Sequence, residues 1–168
     1  MKKRDGLLVL GGLLVVLLLG GCAATTDSVT EVATTSGNGP ISGTWIDIEV
    51  EGDTVVLPMS EVTALGNVHF SLLAGNRTLD FMAYLLDDVL QVRANACPPC
   101  HSRGFALDGS VLVCDMCQTT FDAANGSGIE GACVAYPKAA VDYAVYDGLI
   151  VMEVDALVAA YDETLVAG

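Results

Sequence analysis

Five of the six cysteines in this 168-residue chain have a spacing that predicts a metal centre. Cys97 and Cys100 flank two prolines, Cys114 and Cys117 follow after thirteen residues, and fifteen further residues precede Cys133. A two-residue spacer lets both thiolates of a tight loop face one ion, and two such loops complete a tetrahedral sulfur site. We therefore predict that the first four of these cysteines are the ligands and that Cys133 is an additional candidate.

Soft thiolate sulfur limits the cofactors that such a site would bind. An iron–sulfur cluster or a single iron ion is favoured, and zinc is the alternative. The segment from Cys97 to His101 also matches the attachment signature for c-type haem, for which Met116 is a candidate axial ligand. In a site made of sulfur alone, His101 would instead hydrogen-bond a ligand sulfur or face solvent.

Two further interpretations of the cysteines remain open in the sequence. In an oxidising compartment they would form disulfides, although five cysteines leave one unpaired and Cys-x-x-Cys bridges close only small loops. Alternatively, Cys97-Pro-Pro-Cys100 would act in thiol–disulfide exchange through a thiolate of low pKa. The sequence around it lacks the βαβ pattern of thioredoxin-like proteins, which disfavours that function.

The first 21 residues have the pattern of a secretory signal peptide. Lys2, Lys3 and Arg4 precede an apolar run over residues 6–19, which is shorter than the roughly 20 residues of a membrane-spanning helix. Two glycines then precede Cys22, as in a bacterial lipobox, so we predict that Cys22 carries a lipid. Residues 22–39 predict a flexible tether that would hold the domain on the extracytoplasmic face of the cell membrane.

Acidic residues dominate the chain that follows this signal. Its cations are Arg77, Arg93, Arg103 and Lys138, which face 20 acidic side chains and leave a net charge of −16. Such a charge repels nucleic acid and anionic lipid headgroups. We therefore expect no nucleic-acid partner. The acidic surface would bind cationic partners or metal ions, or it would keep the protein soluble.

Residues 40–168 are long enough for one domain, and short apolar segments between turn signals predict that it is mainly β. The predicted fold is a small antiparallel β-sandwich or barrel of hairpins, with two Cys-x-x-Cys metal loops and a short C-terminal helix. Residues 79–90 also fit an amphipathic helix, but the Asp87-Asp88 pair favours a hairpin turn. The predicted strand segments are residues 44–50, 54–57, 68–73, 81–86, 89–94, 105–113, 141–146 and 149–154. Residues 105–113 are predicted to form a hairpin that turns at Asp108-Gly109.

Two helix starts are predicted from capping residues. Ser60 is expected to cap a short helical turn that ends before Gly66. Asp155 is expected to cap the C-terminal helix, which would extend through Val166.

The region from Cys97 onwards resembles the FtrD-like family of membrane iron–sulfur proteins, which are found beside ferrous-iron transport systems. The resemblance covers about residues 45–155 and includes both Cys-x-x-Cys loops, Gly104-Phe105, Phe121-Asp122 and Gly131-Ala132-Cys133. Ala132 and the residues after Cys133 depart from the Gly-Gly-Cys-Asn-Pro segment of that family. A role of Cys133 as a fifth ligand is therefore the weakest implication of the resemblance.

The same layout is similar to Rieske-type domains, in which two loops between hairpins hold a [2Fe–2S] cluster. Cys100 and Cys117 stand where Rieske domains have histidine. The two resemblances imply an electron carrier or accessory subunit, rather than a stand-alone enzyme, that serves a membrane redox or transport partner in iron transport. A structural zinc site within a binding module is the alternative function.

Overall fold

Strands form most of the regular structure in the computed structural model, which describes residues 39–168. The mainly β fold and the short C-terminal helix are therefore confirmed. The predicted signal peptide, the lipid-bearing Cys22 and the tether as far as residue 38 lie outside the described residues. In chain order the elements are β1 Thr44–Trp45, β2 Glu49–Glu51, β3 Thr54–Pro58, α1 Met59–Leu65, β4 Asn67–Ala74, β5 Arg77–Leu86, β6 Val89–Ala94, β7 Phe105–Asp108, β8 Val111–Cys114, β9 Thr120–Asp122, β10 Gly128–Glu130, β11 Ala144–Tyr146, β12 Leu149–Glu153 and α2 Val154–Thr164.

The strands make three four-stranded sheets. Their orders are β1-β4-β5-β6, β11-β12-β3-β2 and β10-β9-β8-β7. Neighbouring strands are antiparallel, apart from the short parallel pair of β1 and β4. The hairpins predicted around residues 52, 87, 109 and 147 are all present.

Strand β5 separates two hydrophobic cores because its side chains alternate between opposite faces of the sheet. Leu79, Phe81 and Ala83 enter the large core, to which β3, β4, β6, β12 and both helices also contribute. Met82 and Tyr84 enter a smaller core, here called the cysteine core, with side chains from β7, β8 and β9 and from three buried cysteines. Residues 79–90 therefore form a buried strand and a hairpin, not an amphipathic helix.

The turns explain why the hairpins form. Asp87 and Asp88 both have positive φ angles, 49° and 63°, and Asp147 and Gly148 repeat this with 50° and 77°. Two-residue hairpin turns with positive φ at both positions match the twist of antiparallel strands. Aspartate tolerates this conformation because its short side chain can hydrogen-bond locally.

Both helices begin one residue before the predicted caps, so the capping predictions are wrong. Helix α1 begins at Met59 after Pro58, and Ser60 lies inside its first turn. Helix α2 begins at Val154 and ends at Thr164, with Asp155 in its first turn. Neither helix has a side-chain cap hydrogen bond, because each continues directly from a strand. Within residues 39–168, no helix has the length and apolar character needed to cross a membrane.

Candidate metal centre

Two loops of the same design carry the Cys-x-x-Cys motifs. Loop 1, residues 97–102, lies between β6 and β7 and is closed by the N–H of Cys97, which donates to Ser102 O at 3.0 Å. Loop 2, residues 114–119, follows β8 and is closed in the same way from Cys114 to Thr119, also at 3.0 Å. The residue after each second cysteine has positive φ, 59° at His101 and 58° at Gln118. The hairpin of β7 and β8 joins the two loops, as the sequence predicts.

A third loop, residues 131–136, brings Cys133 to the same place. The N–H of Cys133 donates to Thr119 Oγ1 at 3.2 Å, and this hydroxyl lies 3.2 Å from Cys117 Sγ. Gly131 has a φ of 120°, and a side chain there would approach Thr119 Oγ1 to 2.5 Å. Thr119 and Gly131 therefore fix loop 3 against loop 2. The family resemblance includes Gly131, whereas nothing in the sequence pattern indicates Thr119.

All five sulfurs converge. The Sγ atoms of Cys97, Cys100, Cys117 and Cys133 lie within 4.8 Å of one another. Cys114 Sγ lies 3.7 Å from Cys100 Sγ, and Cys117 Sγ lies 3.7 Å from Cys133 Sγ. A disulfide bond would bring two sulfurs to about 2.05 Å. The five described cysteines are instead free thiols in the structure.

Burial divides the thiols into an inner and an outer group. Cys97, Cys114 and Cys133 are buried, whereas Cys100 and Cys117 are partly exposed. Burial raises the pKa of Cys97 and of Cys114. Burial also opposes ionisation of Cys117, but hydrogen bonds with the hydroxyl and backbone of Thr119, and with Cys114 and Cys100, together outweigh it and lower the pKa of Cys117 to about 6. Metal binding by the inner thiols would therefore displace protons.

A buried cation lies beside these thiols. Lys138 is fully buried, and its ammonium donates to Ala96 O at 2.6 Å. The Nζ atom lies 4.4 Å from the centroid of the Phe121 ring and 5.1 Å from that of Phe105. Burial lowers the pKa of Lys138 to about 8, and the charges of nearby cysteines partly oppose this shift. The sequence identifies Lys138 only as one of four cations and does not indicate that it is buried beside the cysteines.

Loop 1 is also attached to the sheet by an ion pair. Arg103 forms a bidentate pair with the buried carboxylate of Asp80 on β5, with an Nη2–Oδ1 distance of 2.8 Å. Ser71 donates to the same carboxylate at 2.7 Å. The guanidinium of Arg103 lies 5.6 Å from the centroid of the Trp45 ring. These contacts connect the end of loop 1 to β1, β4 and β5.

The two histidines have different environments. His101 is exposed on loop 1. His69 on β4 is buried, and its ring packs edge-to-face on Trp45 at a centroid distance of 5.3 Å. His69 is therefore part of the packing, whereas His101 is exposed directly after Cys100 in loop 1.

The donor set fits a thiolate-bound metal. Metal–sulfur bonds of about 2.3 Å place the sulfurs around one tetrahedral ion about 3.8 Å apart. The shortest sulfur separations, 3.7 Å, agree with this value. Iron–sulfur clusters are likewise held by four cysteine thiolates. Covalent haem fits less well because Cys97 is buried among three other sulfurs.

The match to a protein family agrees with this donor chemistry. Residues 62–163 match the family described as "Membrane iron-sulfur containing protein FtrD-like". A chain of the "Complex of reduced oxygenase and oxidized ferredoxin in carbazole 1,9a-dioxygenase" is similar in fold, with a TM-score of 0.51 and 15% identity over 62% of this chain and 95% of that chain. The Sphingomonas yanoikuyae B1 ferredoxin has a TM-score of 0.42 and 19% identity, over 49% of this chain and 81% of its own. No curated protein matches the chain.

Proposed function

Because the chain belongs to the FtrD-like family of membrane iron-sulfur containing proteins, we propose that it is an electron carrier with an iron–sulfur centre in its cysteine core. The convergence of five free thiols from three loops is the observation that carries this proposal. When bound, such a centre supplies one-electron transfer. The chain itself holds the centre, keeps water from its inner side and leaves its outer side accessible.

The accessible side is formed by the outer thiols and their neighbours. Cys100 and Cys117 are partly exposed, and His101 and Met116 beside them are exposed. The thiols of Cys97, Cys114 and Cys133 face the hydrophobic interior. Electrons would therefore enter and leave through the surface at the tips of loops 1 and 2.

Two ligand sets are consistent with the geometry. Loops 1 and 2 have the same design, so a two-iron cluster would take a pair of thiolates from each, and its fourth ligand would be Cys114. A single ion would take the four sulfurs that are mutually close, and its fourth ligand would be Cys133. Cys97, Cys100 and Cys117 are common to both sets. We propose the first set, with the iron–sulfur cluster as cofactor.

The cofactor is tested on the full-length chain purified anaerobically. Iron and acid-labile sulfide in equal amounts, with a visible band that dithionite bleaches, would support the cluster. Iron without sulfide would support a single iron ion. A colourless protein with one zinc per chain would overturn electron transfer.

The ligand set is tested with two matched variants. Cys114→Ser should abolish the visible spectrum of the cluster, whereas Cys133→Ser should retain it, because both sites are buried and only Cys114 belongs to the paired loops. The measurement is visible absorption per iron after reconstitution. Retention in Cys114→Ser and loss in Cys133→Ser would contradict the proposed ligand set and would make Cys133, not Cys114, the fourth ligand.

A structural zinc ion is the second candidate function. It is favoured by the four sulfurs that lie within 4.8 Å of one another, among which Cys117 and Cys133 are 3.7 Å apart, close to the edge of a tetrahedron around one ion. In that case the ion would stabilise loops that otherwise have little core, and binding by the rest of the domain would be the function.

We also propose that residues 1–21 are a signal peptide, that residues 22–39 are a tether, and that a lipid on Cys22 holds the domain on the extracytoplasmic face. A membrane redox or transport protein involved in iron transport would then be the electron partner. Membership of a family of membrane proteins supports this arrangement. Cys22→Ala should move the protein from the membrane fraction to the soluble fraction, and unchanged membrane association would contradict lipid attachment at Cys22.

A further inference from the structure

Lys138 is a buried cation without a carboxylate partner. Its side chain is fully buried, and the ion pairs of residues 39–168 join Arg77 to Asp162 and Arg103 to Asp80, not Lys138 to any acid. An ionised group that is removed from water is costly unless an opposite charge compensates for it. The charge that compensates for Lys138 must therefore come from another source.

The hydrogen bonds of Lys138 leave its charge uncompensated. One ammonium N–H donates to Ala96 O, and the Phe105 and Phe121 rings lie close to the ammonium. The aromatic faces attract a cation, but more weakly than a full negative charge. Arg93 donates to the backbone carbonyl of Lys138 at 3.0 Å, which fixes the chain at this residue.

The thiols are the groups that can supply a negative charge there. Ala96 directly precedes Cys97, and Phe105 is paired with Cys114 across β7 and β8. Phe105 and Phe121 pack in one hydrophobic cluster with Cys97, Cys114 and Cys133. The ammonium thus lies on the inner, buried side of the sulfurs.

We propose that Lys138 is the internal counter-cation of the metal-bound thiolates and favours the reduced state of the centre. The proposal rests on the function proposed above. Four thiolates around a two-iron, two-sulfide cluster leave a net negative charge, and the electron that reduces the cluster adds one more. A fixed positive charge in a medium of low dielectric constant stabilises the more negative state. Lys138 would thus place a fixed positive charge beside the cluster and would not bind the metal.

A role in packing alone predicts a different result. If Lys138 only filled space, a neutral side chain of similar size would leave the reduction potential unchanged. If it is the counter-cation, the neutral side chain would make the cluster harder to reduce. It would also leave the metal-free protein no less stable, because an uncompensated buried charge is removed.

The experiment compares Lys138→Met, Lys138→Gln and the unmodified full-length chain after cluster reconstitution. The Gln variant removes the charge but retains an N–H donor for Ala96 O. It therefore still tests the effect of the charge if the Met variant does not fold. Arg77→Gln is the control, because it removes the same charge from an exposed position far along the chain from the cysteines. Redox titration with dithionite and mediators, followed by visible absorption, gives the midpoint potential.

We expect both Lys138 variants to lower the ratio of reduced to oxidised cluster at a fixed ambient potential by about tenfold, equal to about 59 mV for one electron. The control should match the unmodified chain. Equal midpoint potentials in all four proteins would overturn the counter-cation role of Lys138. A shift in the Met variant alone would also overturn it, because the effect would then belong to the hydrogen bond with Ala96 O.

A cobalt titration separates this inference from the proposed function. If the unmodified chain forms no iron–sulfur cluster, the proposed function fails, and the Co²⁺–thiolate absorption bands then test Lys138. Both Lys138 variants should bind Co²⁺ about tenfold more weakly than the unmodified chain if the ammonium compensates thiolate charge. Equal affinities would overturn the inference.

Discussion

His69 is a buried base on β4 whose position depends on close packing. Its side chain is 1% exposed, Nε2 has no hydrogen-bond partner, and the backbone of Phe105 hydrogen-bonds the ring. A side chain at Gly43 would approach the imidazole to 1.9 Å, so only glycine fits there. Burial lowers the pKa of His69 to about 4, against the opposing effects of Phe105 and Asp80. The neutral imidazole is therefore the form that fits the folded protein.

Stability should consequently fall in acid. Between pH 6.5 and 4 the unfolded chain protonates this histidine and the folded chain does not, so the stability present above pH 6.5 is lost as the pH falls towards 4. The loss at pH 4 is on the order of 3 kcal/mol. Urea unfolding of the unmodified chain and of His69→Met at pH 7 and pH 4 measures it. Equal pH dependence in the two proteins would assign the acid sensitivity to other groups.

At the scale of elements, two arginine–aspartate pairs provide a matched comparison. Arg103 and Asp80 join loop 1 to β5, and Asp80 is buried. Arg77 and Asp162 join β5 to α2, and both side chains are exposed. Exposed ion pairs contribute little to stability, whereas a buried carboxylate with several hydrogen bonds contributes more.

Replacement of the buried aspartate should therefore destabilise the protein more. Asp80→Asn should cost about 1–2 kcal/mol, less than for a fully buried pair because Arg103 can turn to solvent. It should also speed the loss of iron to a chelator, since the end of loop 1 is no longer held. Asp162→Asn should change neither property. Denaturant midpoints and chelation rates measure the effects, and equal changes in the two variants would mean that the pair does not hold loop 1.

Turns that depend on neighbouring residues can be predicted from the sequence, whereas contacts between distant residues cannot. The hairpins were predictable because their turns are local: the Asp87-Asp88 pair alone distinguishes a hairpin from a helix. The contacts of Thr119 with Cys133, of Arg103 with Asp80 and of Lys138 with Ala96 join residues 14 to 42 positions apart, so no local pattern reveals them. The helix starts were missed because α1 and α2 continue directly from strands, which leaves no separate position for a capping side chain.

At the scale of the whole domain, the two cores differ in what holds them together. The large core contains 18 buried hydrophobic residues, and the cysteine core contains ten, of which three are cysteines. The strands of the β10-β9-β8-β7 sheet, which carries the cysteine core, have at most four residues, whereas β5 of the first sheet has ten. Such short hairpins bury little apolar surface and are marginal without additional cross-links. A bound metal would be the main cross-link of the cysteine core.

Metal removal should accordingly loosen one core and spare the other. In hydrogen–deuterium exchange, residues 97–136 should lose protection in the chelated protein, because the metal would be the main link between their three loops. Strands β3, β4 and β12 and helix α2 should retain theirs, since the large core contains no ligand. Protection that returns when the metal is added back would exclude irreversible damage. A uniform loss across both cores would show that the domain unfolds as one unit, and the metal would then stabilise the entire fold.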